Sequence, residues 1–411
     1  MADAADLIHG HLRLDPPEGV PHLDLDPYDE AVLREPAAWH AALRGAGPFV
    51  WLTRYGMLAC GRHAETAAVF GDHRRFVSSR GVGLSDFAAE APWRPPSIVL
   101  EVDPPYHSKT RAAIHKALSP RAVAAMGEMF AAEAARLARA LVARGEADGV
   151  QAFAAPFPCT VFPRAMGLTG TDPARLLAYG AMVFNAIGPD NALRRASMAE
   201  APRIGPWLAE RCARDAIAPN GLAAALYASA DAGEITEEEA GLLVRSLLSA
   251  GVDTTVTGLG AALHALAEAP DQFARLRADP GLARGAFEET LRWASPVQAF
   301  CRTAAEACEV SGVRIAAGMK VLCVLAAANR DPQAFEDPDR FDIDRNPRKH
   351  LAFGTGVHGC VGQAVARAEG EAALRALAVA AARIEPAGTA VWRANNALRG
   401  LERLPLRLHS A

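Results

Sequence analysis

From about residue 106 to 297 the apolar positions recur at helical spacing in alanine-rich sequence, with proline and glycine breaks at 156–163, 188–189 and 219–221. Ahead of this stretch, residues 49–60 predict a short hairpin: Phe49 to Leu52, a turn at Arg54 to Gly56, then Met57 to Cys60. Behind it, residues 309–326 predict short strands with turns at Gly312 and Gly318. A coil rich in Asp, Pro and Arg (331–349), a glycine loop, a helix from about 361 to 383 and terminal strands complete the pattern. The outline is mainly α with a smaller β region.

One predicted helix breaks its own rules. Thr236 with Glu239 three residues on is a capping box, and the pattern runs without proline to Pro270. About 33 residues at ~1.5 Å each make a rod of roughly 50 Å. Its apolar centre contains Ala250-Gly251-Val252-Asp253-Thr254-Thr255. Glycine, a carboxylate and two β-branched hydroxyl residues all disturb a helical ladder. A hydroxyl bonded back to its own helix would explain one threonine, but it explains buried Asp-Thr-Thr poorly, so this is where function is expected.

Composition excludes several classes. The chain has 411 residues, and its 34 Gly and 28 Pro lie well below the level of low-complexity sequence. A net charge of −4 gives no electrostatic case for nucleic acid. Residues 1–20 read as a flexible polar leader, acidic and proline-bearing, with Arg13 the only Lys or Arg before residue 31, which fits neither a secretory signal nor a transit peptide. No apolar run approaches the ~18 residues of a transmembrane helix. Seven cysteines without regular spacing make no disulfide framework, so a reducing cytoplasm is expected, with no membrane partner.

Residues 353–362, Phe-Gly-Thr-Gly-Val-His-Gly-Cys-Val-Gly, contain a literal G-x-G-x-x-G. A dinucleotide site would need a βαβ unit with an acidic residue about 20 positions on; Glu369 and Glu371 come too early. Zinc on His350, His358 and Cys360 lacks a fourth ligand at usual spacing. The third reading is a thiolate: a cysteine just before a helix, among backbone N–H groups that glycines leave accessible, suits a haem-iron ligand.

F-G-x-G-x-H-x-C-x-G resembles the haem loop of the cytochrome P450 monooxygenases. Ala250 to Thr254 resembles the oxygen-activating stretch of that family's central helix, and Glu289-Thr290-Leu291-Arg292 its E-x-x-R pair. Ala328 to Pro332 and Pro338 to Phe341 resemble the bacterial members' segment before the haem loop, where Arg345 is favoured over Arg340 as third partner of the pair. The resemblance spans the chain and implies one P450 domain over residues 1–411. It also implies haem b on Cys360, with Phe353 and Gly354 in the loop beneath it. Asp103-Pro104-Pro105-Tyr106-His107-Ser108-Lys109-Thr110-Arg111 matches the family's propionate segment, so His107, Arg111, Arg302 and His358 are the expected propionate partners. Taken singly, each could be an ordinary surface charge.

The resemblance further implies O2 as co-substrate, Asp253 as a proton relay, the Thr254 hydroxyl as its partner in oxygen activation, and Gly251 as the point where the helix opens. Electrons are expected from a [2Fe–2S] ferredoxin and a flavin-dependent NAD(P)H ferredoxin reductase. Arg345, Arg348 and Lys349 could guide an acidic ferredoxin; a solvated basic coil explains them equally well.

Residues 76–87, 92–97, 183–186 and 243–249 are similar to the bacterial members that oxidise para-substituted benzoic acids such as 4-methoxybenzoate. That likeness implies a carboxylate held by Arg94, Ser97, Ser246 and Ser249, with Arg245 closing the site from outside. Spacing agrees: Ser246, Ser249 and Asp253 at i, i+3, i+7 share one helix face, and Ser246 lies about 12 Å along the axis from Thr254. Two serines bonded to their own backbone are the bland alternative. Phe184 and Phe300 are candidate walls of a ring slot. Ile187 and Cys301 stand where aromatic residues are expected, which bears on the para group. The implied reaction is O-demethylation or hydroxylation of a small aryl acid, for instance 4-methoxybenzoate to 4-hydroxybenzoate plus formaldehyde. Another small substrate (a cinnamate or a terpenoid) is the alternative, and a non-catalytic haem sensor the rival from another class.

Overall fold

A computed structural model describes residues 7–411. The helix Pro120–Ala143 opens on Ser119, whose hydroxyl accepts from the Ala122 N–H, with Pro120 at the first position where no N–H is needed. It lies along Gln363–Ala380. The helix Ala283–Ala294 packs on the other side of Gln363–Ala380, where a Cβ on Gly370 would overlap the Phe287 ring. Alanine and glycine thus let these axes approach closely, and their apolar faces join the main core around Phe130, Phe153, Leu263, Phe287 and Leu374.

The expected hairpin is formed by Val50–Leu52 and Met57–Cys60, antiparallel with Trp51 opposite Leu58. It extends into a six-stranded sheet: Met57–Cys60 pairs in parallel with Lys320–Cys323, which pairs antiparallel with Phe300–Ala304. That last strand carries Phe300 and Arg302 to the site. Ala381–Pro386, Pro405–Ser410 and Glu146–Asp148 form a second, three-stranded sheet.

The long central rod is two helices. The capping box is present, with Thr236 and Glu239 each bonded to the other's backbone N–H, but Glu237–Gly251 ends at Val252 (φ −103°, ψ −68°) and Asp253–Glu268 begins. Two local causes meet there. A Cβ on Gly251 would overlap the ring of Phe162. The hydroxyls of Thr254 and Thr255 donate to the carbonyls of Ala250 (2.6 Å) and Gly251 (3.2 Å).

Two other expectations are corrected. The proline-rich 156–163 stretch is helix, not break: Pro156–Met166 places Pro156 and Pro158 in its first turn, follows a π-turn at Val150–Ala154, and ends on Gly167 at φ +79°. Of the 1–20 leader, residues 1–6 lie outside the described residues, but from Leu7 on it is no flexible tail. Leu7–Ile8 pairs with His11–Leu12, the Gly10 carbonyl accepts from the Asp86 N–H at 2.8 Å, and His11 and Val20 are buried. Among the described residues, no helix is long and apolar enough to cross a membrane, and no group of three His, Cys, Asp or Glu could hold a metal.

Candidate active site

One cavity of about 310 Å³ connects the break in the central helix, the loop 82–101, the end of the helix Pro173–Asn185, the Phe300 strand and the glycine loop. Cys360 opens onto it. The loop is shaped for this: Gly354 and Gly356 take φ of +67° and +69°, and the Cys360 N–H bonds the Phe353 carbonyl at 2.7 Å. A Cβ on Gly354 would press on Phe70, and Arg367 stacks 4.6 Å from the Phe353 ring. Burial pushes the Cys360 thiol up, while the N–H groups of Gly362 and Gln363 and the charges of Arg111 and Arg367 pull against it. Those are the donors a thiolate would use.

Several buried polar atoms beside Cys360 have no protein partner. Arg302 is fully buried, yet its Nε and one Nη bond nothing; the other Nη donates to the Cys301 carbonyl, and the group lies over Phe70 at 3.9 Å. Burial pulls its pKa to about 10. Both ring nitrogens of His107 and the Nδ1 of His358 are likewise unpartnered, with the two rings 4.4 Å apart. Burial first, then His358 and Arg111, lowers His107 to about 4. His358 reaches Asp103 at 3.4 Å. Burial alone would raise Asp103, but bonds from His358, Ser79 and the Ser78 N–H leave it well below the usual carboxylate range. Arg111 is partly occupied by the Gly359 carbonyl at 2.6 Å. A buried guanidinium, both ring nitrogens of His107 and the Nδ1 of His358, all without acceptors, fit the propionates of a haem.

Behind the loop, Glu289 and Arg292 are fully buried and joined by two bonds of 2.7 and 2.8 Å. Arg345 meets Glu289 at 3.0 Å, whereas Arg340 contributes its carbonyl to Arg292. Arg345 is therefore spent internally, which removes it from the basic cluster considered for a ferredoxin; Arg348 and Lys349 remain exposed.

On the opposite wall, Thr254, Thr255, Gly251 and Ala250 line the cavity. Asp253 does not, which corrects the shared face with Ser246 and Ser249. The break at Val252 turns it away, and it is buried against Arg393 with Oδ1 and Oδ2 at 3.0 and 3.2 Å. Sequence reasoning missed Arg393, an isolated arginine on a C-terminal strand with no local signal. It also missed Glu369, buried on the cavity wall with neither oxygen bonded. Burial raises that carboxyl to about 8, against a smaller pull from Thr255.

The far end is polar. Ser97 and Ser246 meet hydroxyl to hydroxyl at 3.1 Å, and Ser249 donates to the Ser246 carbonyl at 2.8 Å. Arg94 lines the cavity and donates to the Pro95 carbonyl at 2.9 Å; Arg245 donates to the same carbonyl from outside, also at 2.9 Å. Glu101, which the sequence did not single out, pairs with Arg94 at 3.1 Å. Phe184 and Phe300 also line the cavity. Ile187 lines it too and also borders a second space of about 40 Å³ next to Gln298 and Asn396. Cys301 is corrected: alternation along the strand sends it to the opposite face from Phe300 and Arg302, among Tyr28, Val50 and Leu322, so it has no bearing on the cavity.

Residues 209–377 match the family model described as Cytochrome P450. The chain is 50% identical over 394 residues to Cytochrome p450 CYP199A2 of Rhodopseudomonas palustris, covering 96% of each chain. It is 31% identical to the beta-dihydromenaquinone-9 omega-hydroxylase of Mycobacterium tuberculosis, covering 93% of this chain and 78% of that one. Among solved structures, CYP109Q5 from Chondromyces apiculatus superposes with a TM-score of 0.79 at 32% identity, over 94% of this chain and 99% of that one. P450BioI, in complex with hexadec-9Z-enoic acid ligated acyl carrier protein, gives 0.82 at 26% identity, over 92% and 100%. Likeness of this extent, on a chain with a cavity built around a cysteine loop and unclaimed propionate partners, means that the protein belongs to the cytochrome P450 family, the monooxygenases that hold haem through a cysteine thiolate and take O2 as co-substrate.

Proposed function

We propose that this P450 oxidises small aromatic carboxylic acids, by O-demethylation or hydroxylation of para-substituted benzoates, with 4-methoxybenzoate going to 4-hydroxybenzoate and formaldehyde. The observation that carries this reading is the polarity of the cavity. Arg94, Ser97, Ser246 and Ser249 gather on the strap and the helix Glu237–Gly251, apart from Cys360 on its loop, and Phe184 and Phe300 give the same cavity aromatic walls. An acid held at the polar end presents its para substituent toward Cys360, and that fixed pose supplies regioselectivity.

Haem held by Cys360 and flanked by His107, Arg111, Arg302, His358, Phe353 and Gly354 supplies the O2 chemistry. This chain's residues position and protonate. Thr254 offers its hydroxyl to the cavity from a site anchored on the Ala250 carbonyl. Asp253 is buried on half-buried Arg393, so it relays a proton by leaving that partner. Glu369, largely protonated at pH 7, keeps a proton on Oε within the same wall. The Arg245–Pro95 bond closes the strap 93–97 over the acid. Electrons come from a [2Fe–2S] ferredoxin and its flavin-dependent NAD(P)H reductase, with Arg348 and Lys349 on the docking side. The chain works as one domain, in the cytoplasm.

The test is the visible spectrum of the ferric protein titrated with 4-methoxybenzoate, with the methyl ester as control. A Soret shift to high spin with the acid alone is expected. A band that ignores the acid, or responds equally to the ester, refutes the substrate reading. A cinnamate or terpenoid that shifts it more fully would replace the benzoate.

A further inference from the structure

Glu101 is the unforeseen charge at the polar end of the cavity. It lies four residues after Ser97, and the turn between them is closed by the Glu101 N–H on the Ser97 carbonyl at 2.8 Å. That turn brings the carboxylate back under the strap. Its Oε2 accepts from the Ser97 N–H at 2.7 Å and faces Arg94 Nη1 at 3.1 Å. Glu101 is 8% exposed, and the pair has little water to screen it.

The local charges can be counted. Arg94 and Arg245 are cations on either side of the Pro95 carbonyl, close enough for each to feel the other and for Arg245 to feel Glu101. Tyr179, buried beside them, is a neutral phenol whose pKa is raised by burial. Further out on the rim, Arg194 and Glu90 carry opposite charges. The anchor is therefore two positive charges and one negative. A monoanion brings it to neutrality, whereas a dianion leaves an uncompensated negative charge in a site that is costly to charge.

We infer that Glu101 is a specificity-determining residue: it cancels one of the two arginine charges and so fits the site to head groups with a single negative charge, excluding dianions. This rests on the aryl-acid reading. Glu101 also orients Arg94 and the Ser97 turn, but a purely structural clip would affect all ligands alike. A charge-balancing role affects them according to their charge.

The experiment compares 4-methoxybenzoate with 4-methoxyphenyl phosphate, which is a dianion at pH 8 because its second pKa is about 6. Binding to the ferric holoenzyme is followed by spin shift for the benzoate and by competition against it for the phosphate. Glu101→Gln should shift the ratio of the two dissociation constants by about tenfold or more in favour of the phosphate. Glu101→Asp, which keeps the charge, should move it back toward wild type. A ratio within threefold of wild type in Glu101→Gln overturns the inference. Wild type offers a second test that needs no variant: between pH 5 and 8 the phosphate should weaken about tenfold relative to the benzoate, and a flat ratio overturns the inference too. No response of wild type to 4-methoxybenzoate would overturn the aryl-acid reading itself, and this inference with it.

Discussion

Replacing Arg292 tests whether the E-x-x-R pair holds the haem loop in place. All five of its N–H donors have acceptors. Two go to Glu289 at 2.7 and 2.8 Å, and three to the carbonyls of Asn329 (3.0 Å), Pro338 (2.7 Å) and Arg340 (3.2 Å). Those carbonyls belong to the coil that leads to the glycine loop, and the Asn329 side chain in turn accepts from the Leu351 N–H at 2.6 Å. Arg292→Met takes from Glu289, fully buried, its two shortest bonds and leaves it on Arg345 and the Asp342 N–H alone. Breaking a buried pair from one side costs about 3–5 kcal/mol, and the orphaned carbonyls add to it. That is a large part of the roughly 5–15 kcal/mol that holds a folded domain together. Arg292→Lys keeps the charge but offers three tetrahedral donors to five acceptors, so a loss of about 2–3 kcal/mol is expected. Urea unfolding, read in parallel by circular dichroism and by the Soret band, should show the Soret signal lost first, as the coil loosens before the helices melt. Adding Glu289→Gln to Arg292→Met should recover none of the loss, since Arg345 then loses its carboxylate as well. An Arg292→Lys variant within about 0.5 kcal/mol of wild type and fully loaded with haem would refute the reasoning.

Gly251→Ala puts a methyl against the Phe162 ring and should cost about 1–3 kcal/mol; Phe162→Leu should restore part of it, and no rescue in a thermal-unfolding cycle would place the strain elsewhere. Arg393→Met leaves Asp253 buried without its cation and should cost about 3 kcal/mol, with the acid's dissociation constant unchanged; if adding Asp253→Asn recovers none of the stability, the pair is not what matters. His40 is held near pKa 3 by burial, then by Arg44, Arg399 and Arg330. Between about pH 3 and 6.5 the unfolded chain takes a proton there that the folded chain refuses, so stability falls as pH falls, by up to about 1.4 kcal/mol per unit. His40→Gln should flatten that slope in urea titrations from pH 5 to 6.5, and identical slopes would refute the assignment.

What the sequence made legible was local. The cysteine loop is ten contiguous residues, the E-x-x-R pair is one helical turn, and the capping box is four residues; each carries its geometry in its own spacing. Arg393 and Glu101 were illegible for opposite reasons. Arg393 meets Asp253 across 140 positions, and only the assembled fold decides that contact. Glu101 is close to Arg94 in sequence, but its direction depends on a turn with no recognisable signature. Cys301 was a different failure, because the signal was present. Phe300 and Arg302 were both assigned to the cavity, and alternation along one strand then requires Cys301 to face away. The central helix failed through idealisation: proline-free periodicity predicts a rod, whereas Gly251 against Phe162 and two hydroxyls on their own carbonyls divide it.

The serines show that the bland and the functional readings need not compete. Ser246 donates to the Leu242 carbonyl at 2.9 Å, as a mid-helix serine does, and its oxygen still has a lone pair for Ser97 at 3.1 Å. A hydroxyl has one proton, so with Ser246 committed to its own helix, Ser97 is the donor in that pair. An acid entering beside Arg94 then needs only the Ser97 proton to turn from Ser246 to the carboxylate, while the helix keeps its backbone bond. On the aryl-acid reading, Ser97→Ala should therefore weaken the acid more than Ser246→Ala, although Ser246 sits on a helix and Ser97 on a turn. The reverse order would mean that Ser246 gives up its backbone bond to hold the substrate, and that the helix is where the specificity resides.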